Sequence, residues 1–199
     1  MAAESTSRSL RLPQPGVAGA LALALATFVL SWIILERHGT EAVPPAAAST
    51  PAATASGLAF GPLALTPRGL RVRVVELGQP VYWVGPERRV RYELKRTSGG
   101  SVFLRYLPLG DAAGDPAPYR TVGTYPFAGA YDATRRLAGE AATVWFVVRG
   151  GGIAVFRRSR PTNVYLAWPG FNYQVEIFDP HAAVARRLAV SSRLRRLTQ

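Results

Sequence analysis

Val17 to Leu35 is a run of nineteen residues without a charge, and such a run leaves a chain few options. At about 1.5 Å per residue a helix over it spans roughly 28 Å, close to the roughly 30 Å hydrocarbon core of a bilayer. A secretory signal has a shorter apolar region, about 7 to 15 residues, followed by a small-residue cleavage site. Here the run passes directly into Glu36, Arg37 and His38. It also lacks the polar face of a helix that packs on a soluble core. Residues 16–36 therefore read as one transmembrane helix, with Val17, Leu21, Leu25, Phe28, Leu30, Trp32, Ile33 and Leu35 anchoring it in the lipid bilayer.

Arg8 and Arg11 precede the helix and only Arg37 follows it closely. Short flanking segments rich in arginine stay in the cytoplasm, so residues 1–15 are expected to form a short cytoplasmic tail, with the rest of the chain extracytoplasmic. Residues 37–57 hold Pro44, Pro45 and Pro51 among alanine, serine and threonine, without apolar periodicity. They read as a disordered Pro/Ala-rich linker that at about 3 Å per residue reaches at most ~60 Å from the bilayer.

Charge divides at the same place. Arg8, Arg11 and Arg37 are balanced by Glu4, Glu36 and Glu41, so the whole net charge of +12 belongs to residues 58–199. A domain this basic attracts anions, with strong dependence on salt. Lys95 is the only lysine, an arginine preference that fits G- and C-rich, bacterial coding. The chain has no cysteine, which excludes disulfides, thiolate nucleophiles and cysteine-ligated zinc.

Beyond the linker the pattern becomes short alternating segments. "GLRVRVVEL" sets Leu70, Val72 and Val74 against Arg71 and Arg73, the period of a half-buried strand. "VRYELKR" repeats the scheme with Val90, Tyr92 and Leu94 inward and Arg91, Glu93 and Lys95 outward; "TSGG" then turns the chain into "SVFLRYL", a hairpin over 90–107. "ATVWFVV" and "GIAVFR" flank a glycine turn at Gly150, Gly151 and Gly152, which lacks the spacing of a phosphate loop. "NVYLAW" and "YQVEIF" flank "PGFN", with Val175 and Ile177 on the side opposite Gln174 and Glu176. Two helices are expected. One covers 129–139 and packs Tyr131, Thr134 and Leu137; the other starts at the N-cap Asp179 with Pro180 in its first turn and buries Val184 and Leu188. The fold class is thus α+β: the N-terminal transmembrane helix, then a basic 58–199 domain with a mainly antiparallel sheet of six or seven strands and two helices.

No catalytic set stands out. His38 and His181 are the only histidines, no Asp, Glu and His cluster has metal-ligand spacing, and no cofactor motif is present. Asp111 and Asp115 share one loop, but aspartate beside glycine and proline is what turns themselves select. Binding features are richer. Arg88, Arg89 and Arg91 gather beside Tyr82 and Trp83, and Arg157, Arg158 and Arg160 lie just before the last hairpin. Arginines with aromatics can clamp phosphate or carboxylate and stack on rings. These observations describe a single-pass protein of the cytoplasmic membrane displaying a non-catalytic basic module outside, with an anionic lipid, a wall polymer or another membrane protein as partner. The alternatives are an anchored envelope hydrolase using Asp111, Asp115 or His181, and a cytoplasm-facing domain holding nucleic acid.

Overall fold

The computed structural model describes residues 59–198. The expected tail, transmembrane helix and linker lie outside these residues. Among the described residues no helix is long and apolar enough to cross a membrane.

Ten strands and three helices follow one another along the described chain. They are β1 (Phe60–Leu65), α1 (Pro67–Leu77), β2 (Tyr82–Trp83), β3 (Val90–Arg96), β4 (Val102–Pro108), β5 (Thr121–Pro126) and α2 (Ala130–Ala138). Then come β6 (Thr143–Val148), β7 (Gly152–Arg157), β8 (Asn163–Ala167), β9 (Tyr173–Phe178), α3 (Ala182–Val190) and β10 (Arg195–Arg196). Eight strands form one sheet in the order β1-β3-β4-β5-β9-β8-β7-β6, with every neighbouring pair antiparallel, and β10 pairs with β2 in a small second ribbon. The fold is α+β, as expected, but with more elements than the six or seven strands and two helices read from sequence.

The sheet has two unlike faces because side chains alternate along each strand. Leu94, Leu104, Val122, Ile177 and Val164 stand directly opposite one another on five adjacent strands, and all five are fully buried. Helix α1 adds Leu70 and Val74 to this layer, α3 adds Ala185, Leu188 and Ala189, and β2 adds Trp83. Helix α2 lies on the other face against β6 to β9, where Thr134 Oγ1 accepts a hydrogen bond from Gln174 Nε2 at 2.9 Å.

The third helix is the segment read as a strand. Alternation of arginine and valine over Arg71 to Val74 fits period two, yet local signals at both ends favour a helix. Thr66 is the N-cap and its hydroxyl accepts from Gly69 N at 3.2 Å, Pro67 occupies the first turn, and Gly78 closes the helix at φ 61°. Leu70 and Val74, four apart, face the core, and Val72 is left 57% exposed. The start of α3 also differs from expectation. His181, not Asp179, is its N-cap, and the Asp179 carboxylate accepts from Arg120 Nε at 2.7 Å and from His181 N at 2.9 Å.

The three hairpins form where expected. Gly150 and Gly151 take φ 80° and 72° in the β6–β7 turn, a conformation that side chains resist.

Candidate functional site

Antiparallel register places both expected arginine groups at one end of the sheet, at the start of β3 and in the turn from β7 to β8. Several strand steps separate them, about 20 Å at ~4.8 Å per step, so they do not converge on one ligand. Arg88 and Arg89 are exposed in the turn before β3, with Arg89 at φ 58°. Arg91 donates to Ala64 O at 3.0 Å across the β1 edge. Arg157 pairs with Glu140 at 3.0 Å on the surface, and Arg158 and Arg160 are exposed beside it.

Tyr82 and Trp83, expected beside the first group, are packing residues of β2. Trp83 is 2% exposed and sets its edge on Tyr92, 6.2 Å between ring centres. Tyr82 stacks on Trp168 at 5.5 Å and touches Phe171 edge-on. Trp168 in turn donates from Nε1 to Arg149 O at 2.8 Å.

A different set of arginines meets at Trp83. β10 pairs with β2 so that Arg195 lies opposite Trp83 and Arg196 opposite Tyr82, and Leu197 N donates to Val81 O at 2.8 Å. The Arg195 guanidinium sits 5.7 Å from the Trp83 ring centre. Arg71, carried by α1, completes a concavity of about 170 Å³ lined by Arg71, Trp83, Arg195, Arg196, Leu197 and Thr198. Three of its six lining residues are arginines and, among the described residues, none is acidic and none of the three arginines is ion-paired. Beside it, Arg193 is held by Val84 O at 3.0 Å and Glu87 Oε1 at 3.1 Å. The site is built by the ribbon: without β10 on β2, Arg195 and Arg196 would have no fixed position. A planar guanidinium offers paired donors to phosphate or carboxylate, so a concavity lined by three arginines is suited to an anion. The run "RLRR" from Arg193 to Arg196 is the sequence signal for it. Arg71 carried none, because the strand reading turned it outward without a partner element.

A larger shallow groove of about 500 Å³ runs along α1 and β1. Its Arg73 and Glu76 pair with each other at 2.6 Å, which leaves it less suited to an anion.

The titratable residues weighed for catalysis serve the loops. Asp111 Oδ2 accepts from the Tyr119 hydroxyl at 2.6 Å, a bond that pushes the tyrosine pKa up, and Asp115 Oδ1 accepts from Ala117 N at 2.8 Å. His181 is exposed, its Nδ1 3.5 Å from Asp179 Oδ1. Among the described residues no three acidic or histidine side chains cluster to hold a metal ion. Sequence reasoning missed a buried polar cluster on the α2 face. There the Glu176 carboxylate accepts from the Tyr125 hydroxyl and, at 2.6 Å, from Asn163 Nδ2. Burial drives the Glu176 pKa upward, and burial followed by the Glu176 charge drives that of Tyr125 upward. This cluster is enclosed rather than open to a ligand, with Glu176 4% exposed.

The chain matches no protein-family model, no curated protein and no solved structure.

Proposed function

We propose that this chain is a single-pass protein of the cytoplasmic membrane that displays its basic domain outside and holds an anionic component of the envelope at Arg71, Arg195 and Arg196. The observation that carries this reading is that three arginines without an ion-pair partner among the described residues line one small concavity that also includes Trp83. An apolar run of nineteen residues supplies the anchor, and the linker of about twenty residues leaves the domain within reach of the membrane surface. Arg88 and Arg89, at the other end of the Glu87 loop from Gly85, extend the basic surface; Arg157, Arg158 and Arg160 belong to a separate region.

Each arginine near an anionic surface contributes about 1 kcal/mol, so charge reversal at all three positions should weaken binding at least a hundredfold. The test compares full-length protein with the Arg71→Glu/Arg195→Glu/Arg196→Glu variant on three probes: phosphatidylglycerol vesicles, poly(glycerol phosphate) and duplex DNA. Loss on vesicles or on the polyphosphate, with protease access to a C-terminal tag in intact cells, supports the reading. Unchanged binding to all three sinks it. Protection of the tag until the membrane is opened places the domain inside and makes nucleic acid the ligand to pursue.

A further inference from the structure

The eight-stranded sheet ends in β1 on one side and β6 on the other, and the two edges are built differently. β1 carries Pro62, a register shift between Phe60 and Leu63, and the Arg91 guanidinium on Ala64 O. Each of these stops a further strand from adding. β6 reads Thr143, Val144, Trp145, Phe146, Val147 and Val148, and it pairs with β7 through all six residues without a bulge. It has no proline, glycine or charge. On its α2-side face Trp145 is 53% exposed and Val147 68% exposed. A straight apolar edge of this kind is a template for another strand.

We propose that β6 pairs antiparallel with β6 of a second copy of this chain, extending the sheet to sixteen strands across a twofold axis. Charge selects this occupant and this direction. Glu140 lies just before the strand and Arg149 just after it, both exposed. An antiparallel neighbour with the same sequence brings Glu140 opposite Gly150, one position from Arg149, so opposite charges lie side by side at both ends, whereas a parallel neighbour brings like to like. Glu140 already holds Arg157 at 3.0 Å, but that pair is on the surface and leaves the carboxylate free to accept a second cation. The twofold axis at Trp145 sets Trp145 opposite its own counterpart and Val147 opposite Thr143, with Val144 opposite Phe146 on the other face. Side chains that point the same way then meet, as an antiparallel pair requires. The contact is smaller than a standard interface of about 1,600 Å², so it forms a weak dimer that a shared membrane would concentrate.

The absence of cysteine from the chain makes the register directly testable. Opposed residues of an antiparallel pair have Cα atoms about 4.5–5.5 Å apart, within disulfide reach. Full-length Trp145→Cys in its membrane, under mild oxidation, should form a disulfide dimer at least tenfold faster than Val190→Cys, an exposed position on α3. The double variant Thr143→Cys/Val147→Cys keeps Trp145 and should crosslink equally well, and adding Val147→Lys to Trp145→Cys should cut its rate at least tenfold. Equal rates for Trp145→Cys and Val190→Cys overturn the proposal, as does crosslinking indifferent to Val147→Lys. A Trp145→Cys variant that captures a different protein in place of its own second copy would also overturn it.

Discussion

Trp168 occupies the space into which a side chain on Gly152 would have to grow. A Cβ built on Gly152 stands 2.5 Å from Trp168 Nε1, 2.6 Å from Cδ1 and 2.8 Å from Val148 Cγ2. The indole cannot retreat without losing its bond to Arg149 O and its stacking on Tyr82. Gly152→Ala should therefore cost about 2 kcal/mol or more, from overpacking and the strained hydrogen bond together. Gly151→Ala meets nothing within 4 Å and is penalised only by its φ of 72°, about 1 kcal/mol. Urea denaturation of the two variants should rank them in this order, and a Gly152→Ala protein as stable as the parent would remove Trp168 from the account of this turn.

Arg120 ties three parts of the chain together. Its Nε donates to Asp179 Oδ2 at 2.7 Å, its Nη1 pairs with Glu87, and its guanidinium lies 5.7 Å from the Tyr106 ring centre. Asp179 is 2% exposed, so Arg120→Met would strand a buried carboxylate at a cost of about 3–5 kcal/mol. Adding Asp179→Asn to Arg120→Met should recover part of that loss. A double-mutant cycle in denaturant reads the coupling directly, and additive single effects would show that the pair contributes nothing as a pair.

The β4–β5 loop is pinned from below by Glu93. Its two carboxylate oxygens accept from Arg105 Nη1 at 2.8 Å and Gly114 N at 2.6 Å, and Arg105 Nη2 donates to Asp115 O at 2.7 Å and Ala117 O at 2.8 Å. Hydrogen bonds to charged groups are each worth about 1.5–3 kcal/mol, so Glu93→Ala should raise the open population of this loop at least tenfold. Limited proteolysis with a broad-specificity protease should then cut between Leu109 and Tyr119 that much faster. Cutting at the parental rate would mean that the loop is held by other contacts.

How much of this was legible in sequence depended on whether one face or two had to be inferred. The hairpins were readable because glycine turns separate runs whose apolar side all enters one layer, as with Tyr92, Leu94 and Leu104. Glu93 was read as outward and Glu176 only as opposite Val175 and Ile177, because alternation says only which residues share a side. What covers that side is decided by the β4–β5 loop and α2, which are distant in sequence. Arg71 failed for the opposite reason. Two-residue alternation outweighed Thr66, Pro67 and Gly78, whose capping roles fix the segment as a helix. The arginine-lined concavity followed that error, since it needs Arg71 on a helix and the Arg195–Arg196 ribbon on β2.

Glu176 gives the domain a titration of its own. Burial raises its carboxyl above the usual 4.5, while bonds from Tyr125 and Asn163 act to lower it, and burial prevails. Below pH 4.5 the folded and unfolded chains both hold this proton. As pH rises past 4.5 the unfolded chain releases it and the folded chain does not, so stability falls until the folded group also ionises, then levels. Other carboxylates overlay this slope, so the informative quantity is the stability difference between the parent and Glu176→Gln across pH 4 to 8. That difference should move in favour of Glu176→Gln as pH rises past 4.5 and level once the folded carboxyl ionises. Tyr125→Phe removes a donor to the ionised form, which should raise the folded carboxyl further and extend the fall to higher pH. A difference that stays flat from pH 4 to 8 would show that the carboxyl titrates as if it were in water, and the buried cluster would lose its electrostatic role.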